Sequence, residues 1–183
     1  DLEIEIRSKI LDGVKDLPKT TAFRNQAFRI IWYPNKKVKL EAESSAGALH
    51  GAVTIRQILA NQQAGVEIPA GIIEDWPSLE WRGLQDDLAR GRVFHMEHAK
   101  QQVKRVAEMK GNLYQLYLET RFAFPRHPDV GMPGSMTPTD AKELDAYAGR
   151  FGVTVLPQVN TFGHLELMLK KDKYKHPSAG QQK

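Results

Sequence analysis

Residues 73–91 read I-E-D-W-P-S-L-E-W-R-G-L-Q-D-D-L-A-R-G. Ahead of Asp75 the chain alternates short strand patterns with one helix; from Trp81 it runs strand–helix–strand–helix–strand. The stretch marks a change of organisation, so we expect one domain over 1–74 and a second over 75–183. Within it, Arg82–Leu88 reads as a short apolar strand, and the stretch carries Arg82, Asp87 and Arg90. Charges set in a strand need partners or a ligand, because burying one alone costs several kcal/mol.

Upstream, Leu2, Ile4 and Ile6 alternate with Glu3, Glu5 and Arg7, the pattern of a half-buried strand. Gln26–Tyr33 and Lys37–Glu43 are two further strands, joined by Pro34-Asn35-Lys36 as an antiparallel hairpin. Ser44-Ser45 offers an N-cap to a helix from Ala46 to about Asn61. Its apolar face reads as Leu49, Val53 and Ile58, with Ala46, Ala52 and Leu59 beside them. Strands covered by one helix make a small α+β layer.

Downstream, helix Met96–Lys110 shows an apolar stripe of Met96, Ala99, Val103, Val106 and Ala107. Strand Asn112–Glu119 comes next, then a long connection rich in aromatic residues, Pro and Gly. Thr137-Pro138-Thr139-Asp140 opens the next helix with an N-cap and a proline in its first turn. Its inner face is Ala141, Leu144, Ala148 and Phe151. Val153–Val159 is an apolar strand, expected to be buried on both faces of a parallel sheet. A last helix, Leu165–Lys171, leads into a tail at 177–183 that reads as disordered. Three β/α units in succession fit a doubly wound sheet or the start of a (β/α)8 TIM barrel. No glycine-rich phosphate loop succeeds any strand, which favours the barrel.

Composition bounds the rest. The 183 residues are 41% hydrophobic and 26% charged, with 26 basic against 22 acidic side chains for a net charge of +4. The charges are interspersed, which speaks for a solvated surface and against a nucleic-acid stripe. With no cysteine there is no disulfide, thiol chemistry or Cys-based zinc site. No run approaches the ~18 apolar residues of a membrane span. The chain opens on Asp1, which leaves room for a removed leader.

In parallel β/α folds, ligands meet the C-terminal ends of the strands. That rule selects Asp86, Asp87 and Arg90 after the first strand, Glu119 and Arg121 after the second, and Asn160 and His164 after the third. Each has a plainer reading. Arg82 and Asp87 suit a structural ion pair, and Glu119 with Arg121 a local one. Asn160 suits an Asx turn, and His164 a cap on the next helix. His95 and His98, three apart at a helix start, read as solvated rather than as metal ligands. Adjacent strand residues face opposite ways, so Asp86 and Asp87 cannot act together as an acid pair.

At these residues the chain resembles glycoside hydrolase family 20, the β-N-acetylhexosaminidases, along nearly its whole length. Ala46-Gly47-Ala48-Leu49-His50-Gly51 with Thr54 and Gln57 is similar to the small α/β domain ahead of that family's barrel. Ile73-Glu-Asp-Trp-Pro with Trp81-Arg82-Gly83 resembles its junction, and Leu84–Arg90 its first barrel strand. Lys110-Gly-Asn112 and Leu156–His164 resemble the entry to strand two and the end of strand three. The resemblance implies terminal β-linked N-acetylglucosamine or N-acetylgalactosamine in glycans as substrate, with no cofactor and no metal. It implies substrate-assisted retention, in which the 2-acetamido carbonyl attacks the anomeric carbon. It gives Arg82, Glu119, Asn160 and His164 as substrate-side residues and Asp87 and Arg90 as supports. Arg82 resembles the arginine that binds sugar hydroxyls, and His164 the histidine that organises the pocket.

The departures are Gln158 and Asn160 where the family has Glu and Asp, and Tyr117–Arg121 where it has a paired-Asp ending. The swaps fit a divergent bacterial branch, with a periplasmic or secreted setting. The family's Asp-Glu pair belongs after a fourth barrel strand, and no such strand lies in these residues. We therefore expect no catalytic residue here and no activity from the 183 residues alone. The alternative is a non-catalytic glycan-binding or scaffold module.

Overall fold

A computed structural model describes residues 3–8, 11, 13–34, 37–160, 163–164 and 166–174. Two units emerge: Asp1–Arg82 with Ala107–Lys110, and Gly83–Val106 with Gly111–Lys183.

The first unit is a four-stranded sheet in the order β1-β3-β2-β4, formed by Glu3–Ser8 (β1), Phe28–Trp32 (β2), Lys37–Ala42 (β3) and Gly71–Asp75 (β4). A short helix, Thr21–Arg24 (α1), precedes β2, and Ser45–Ala60 (α2) succeeds β3. β2 and β3 are the antiparallel hairpin that their alternation predicts, with Ile30 opposite Leu40 and Trp32 opposite Val38. β1 runs parallel to β3, and β4 antiparallel to β2. Period-two patterning sends Phe28, Ile30, Trp32, Val38, Leu40 and Ala42 to one face, where Ile55 of α2 joins them in the core. The opposite face is ionic: Arg29 Nε meets Glu74 at 2.8 Å and Lys39 Nζ meets the buried Glu41 at 2.7 Å. The helix α1 and the strand β4 were not foreseen in the sequence, since T-A-F-R and G-I-I-E-D are too short for either period to register.

The position of α2 is as expected, but its buried face is not. Ser44 caps it, its hydroxyl oxygen accepting from Ala46 and Gly47 N–H. The residues that turn inward are Gly47, His50, Gly51 and Ile55, whereas Leu49 and Leu59 are each 37% exposed. Two glycines one turn apart let the helix lie directly on the sheet. A Cβ at Gly47 would fall 2.2 Å from the Ala27 carbonyl oxygen, and one at Gly51 2.2 Å from Leu40 Cδ1. Hydropathy places Ile58 correctly, since it packs against the core, but misses Gly47, His50 and Gly51, because part of the contact face is built from small residues rather than large apolar ones.

The second unit is a three-stranded, wholly parallel sheet in the order β5-β6-β7, from Gly83–Asp87 (β5), Leu113–Tyr117 (β6) and Thr154–Gln158 (β7). Helices Met96–Glu108 (α3) and Pro138–Gly149 (α4) connect them, and Glu166–Leu169 (α5) and a 3-10 turn at Asp172–Tyr174 come after β7. Gly83 opens β5 because nothing larger fits: a Cβ there would lie 1.8 Å from the Leu113 carbonyl oxygen. Ala99, Val103 and Val106 of α3 and Leu144 and Ala148 of α4 are buried, largely the faces read from their periodicity. α4 begins with a full capping box, Thr137 accepting from Asp140 N–H while Asp140 accepts from Thr137 N–H. Gly152 then takes φ +66 in the turn before β7.

β7 corrects one expectation. It is apolar but not buried on both faces; among the described residues it is an edge strand, with Leu156 44% and Val159 43% exposed. Composition tells which strands can be buried, and only neighbours decide which are. No described helix is long and apolar enough to cross a membrane. The tail at 177–183 and the side chains of Leu2, Ile4, Ile6 and Phe162 lie outside the description.

Candidate functional site

Parallel strands place the residues beyond β5, β6 and β7 at one end of the second unit's sheet. Arg90 lies just past β5, and its Nη1 donates to Glu119 Oε1 at 3.3 Å. Its guanidinium carbon lies 5.8 Å from the centre of the Tyr117 ring, and its Nε is 3.8 Å from Asp87 Oδ2. Asn160, after β7, donates from Nδ2 to the Tyr117 hydroxyl. His164 Nδ1 stands 3.7 Å from Glu119 Oε1, an ion pair whenever the imidazole is protonated. Asp87, Arg90, Glu119, Asn160 and His164 are thus brought together around Tyr117, one of the aromatic residues near the strand ends. Its signal was the alternation in N-L-Y-Q-L-Y-L-E, which sets Gln115, Tyr117 and Glu119 on one face.

The electrostatics centre on Glu119. Hydrogen bonding to that carboxylate, then burial, pushes the Tyr117 phenol above its ordinary range. Glu119 itself has φ +45 and His164 has φ +57, the left-handed region that side-chained residues seldom adopt. Two such residues facing one another, one just past β6 and one in the connection after β7, are strained backbone positions of the sort that collects at functional sites. Beneath them Gln115 donates to Gln158, and Gln158 donates onward to Asn160 at 3.4 Å. Where the resembled family has a Glu and an Asp, this chain therefore carries a neutral amide ladder ending at Asn160.

A cavity of about 390 Å³ lies beside Glu119, Asn160 and His164. Glu119, Asn160 and His164 line one part of it, and Phe124, Val130 and Met168 supply apolar surface. The connection after β6 that forms much of its wall is fixed by its own backbone bonds, Ala123 to Met136, Met136 to Arg121 and Met132 to Thr120. Tyr174 ties the 3-10 turn to that connection, its hydroxyl 2.7 Å from His127 Nδ1 and donating to Asp129 at 3.0 Å.

Arg82 is the residue the structure takes out of this group. It immediately precedes β5 and so stands at the strand end opposite Asp87. Within the first unit its guanidinium donates to Lys110 O at 2.6 Å, Leu79 O at 2.6 Å and Gln26 Oε1 at 2.8 Å. These oxygens take the planar fork that the family resemblance implied would meet a sugar. Glu119 pairs with Arg90 rather than Arg121, whose Nη1 reaches Pro133 O at 3.5 Å. Asp86 faces away from Asp87, as alternation requires; it is buried against Arg92, His98 and Tyr114. His98 is accordingly engaged with a carboxylate rather than merely solvated.

The second unit is thus a parallel β/α chain with charged, amide and aromatic side chains gathered at the C-terminal ends of its strands. Comparison with known proteins shows what the chain is similar to. Residues 5–76 match glycosyl hydrolase family 20, domain 2. The chain is 28% identical over 157 residues to a β-N-acetylhexosaminidase of Cellulomonas fimi, covering 77% of this chain and 31% of that protein. It is 31% identical over 160 residues to a β-hexosaminidase of Akkermansia muciniphila, covering 75% and 32%. The structure of Streptomyces plicatus N-acetyl-β-hexosaminidase in complex with Thio-NAglucal superposes with a TM-score of 0.71 at 26% identity, over 91% of this chain and 35% of that one. The chain is a relative of the family 20 β-N-acetylhexosaminidases, and it spans about a third of the length of the curated relatives it matches.

Proposed function

We propose that this chain supplies the opening part of a glycosidase that removes terminal β-linked N-acetylhexosamine. On this reading 1–74 is the family's preceding α/β domain, and 75–183 begins a (β/α)8 barrel. The observation that carries it is the convergence of Arg90, Glu119, Asn160 and His164 at one end of three parallel strands, beside a cavity of about 390 Å³. The parallel order β5-β6-β7 with intervening helices supports the barrel, as does the exposed apolar surface of β7.

Arg90, rather than Arg82, is the arginine placed to meet sugar hydroxyls: its fork is about half exposed, steadied by Glu119 and the Tyr117 face. Asn160 offers an amide to the same ring. His164 and Glu119 form the polar wall, and Phe124 and Val130 suit the apolar face of a pyranose. The acetamido group is the nucleophile in substrate-assisted retention, so these residues bind and orient the sugar, while of an Asp-Glu pair expected after a fourth strand the Asp steadies the developing oxazolinium and the Glu protonates the leaving oxygen. The 183 residues alone then bind but do not turn over.

The test is hydrolysis of a chromogenic N-acetyl-β-glucosaminide by the full-length protein and by the 183-residue chain. Turnover by the former only is the expected result. Turnover by the short chain would overturn the division of labour. No turnover by either, with N-acetylglucosamine binding retained, would make the chain a glycan-binding module.

A further inference from the structure

Asp86 is a carboxylate with 5% exposure in the middle of a β/α layer, where an apolar side chain would be cheaper. Three side chains from three elements meet it. Arg92 donates to Oδ1, the Tyr114 hydroxyl donates to Oδ2 at 3.0 Å, and His98 Nε2 lies 3.3 Å from Oδ2. Burial, reinforced by Asp86, pushes the Tyr114 phenol upward, so it remains a donor across the working range. Gln102 Nε2 is 3.2 Å from the same His98 nitrogen, completing a line from β5 to α3.

The chain between these anchors is the connection that carries Arg90. Leu88 N–H donates to Tyr117 O at 3.0 Å and Ala89 N–H to Asp87 Oδ1 at 2.8 Å. Gly91, at φ +80, then reverses the chain, and Arg92 returns to Asp86. Successive carboxylates on opposite faces of one strand therefore hold the two ends of the connection over 88–92, with Arg90 between them.

We propose that Asp86, acting through Arg92, is a positioning residue that fixes Arg90 over Tyr117 and against Glu119. Its bearing on catalysis rests on the hydrolase reading; its bearing on the connection does not. Arg90's own contacts are those of an exposed side chain, 56% accessible, with nitrogens 3.3 Å from Glu119 and 3.8 Å from Asp87, so the backbone on either side shares in holding it.

The experiment compares Arg92→Ala, Arg90→Ala and the double variant in the full-length protein. Arg92→Ala leaves Asp86 its Tyr114 and His98 partners, so the layer stays formed; Arg92→Lys serves as the conservative variant. For the chromogenic glycoside, Arg92→Ala is expected to raise KM about fivefold to tenfold with kcat little changed. In the Arg90→Ala background it is expected to add nothing. Independent, multiplying effects would overturn the proposal, as would an unchanged KM. Hydrogen–deuterium exchange supplies a readout free of the reaction: Arg92→Ala should lose protection over 88–92 and keep it in α3. Unchanged protection over 88–92 overturns the proposal whether or not the protein hydrolyses the glycoside, while absence of turnover in the unaltered protein overturns only the hydrolase reading.

Discussion

Arg90 Nη1 lies 3.3 Å from Glu119 Oε1, a contact that joins the connection after β5 to the strained end of β6. On the proposed function, Arg90 takes the sugar-facing role that the family resemblance implied for Arg82. Removing the carboxylate charge should loosen the guanidinium and remove an acceptor from the site. We expect Glu119→Gln to raise KM for an N-acetyl-β-glucosaminide by about tenfold or more, the size of a lost charged hydrogen bond. Arg90→Lys should not restore binding, because an ammonium cannot replace a planar fork. Steady-state kinetics on the full-length protein decides both.

Gly83 offers a steric test of the parallel sheet. With the Leu113 carbonyl oxygen 1.8 Å from a virtual Cβ, Gly83→Ala must push β5 and β6 apart. A loss of about 2 kcal/mol or more is expected in urea titrations. Gly149→Ala, which meets nothing within 4 Å at the end of α4, should be neutral or slightly stabilising.

The face of α2 gives a second stability test. Ile55 is 3% exposed within the core of the first unit, so Ile55→Ala should cost about 2–4 kcal/mol. Leu49, 37% exposed, should tolerate Gln within about 0.5 kcal/mol. The reverse order would mean that the helix lies on its more hydrophobic side after all.

His50 sets an acid limit on the first unit. Burial lowers its pKa, with Arg82 and Lys110 adding to the effect against the Gln26 carbonyl and Asp75. Because the folded state holds the ring neutral, the unfolded chain takes up a proton first as pH falls. The stability it contributes is complete above the ordinary histidine value of 6.5 and is lost progressively below it. The urea midpoint should therefore decline as the pH is taken below 6.5, and His50→Leu should flatten that slope.

Apart from the short α1 and β4, the order of elements was legible in the sequence because it depends on local periodicity and capping. The hairpin of β2 and β3, the capping box at Thr137, and the strand–helix alternation after Trp81 are all set by neighbours within a few residues. The grouping of Glu119, Asn160 and His164 was legible too, since parallel strands deliver their C-terminal neighbours to one end of the sheet. Other features depended on atoms far away in the chain. Arg82 turned from a ligand residue into a structural clamp because Gln26 Oε1 and Lys110 O accept from it. The inward face of α2 was decided by the closeness of Ala27 and Leu40, which rewards glycine over leucine. Asp86 stands buried only because Arg92, Tyr114 and His98 converge on it. Backbone propensity is written residue by residue, but the partner that satisfies a buried charge, and the gap that admits only glycine, exist only once the chain has closed on itself.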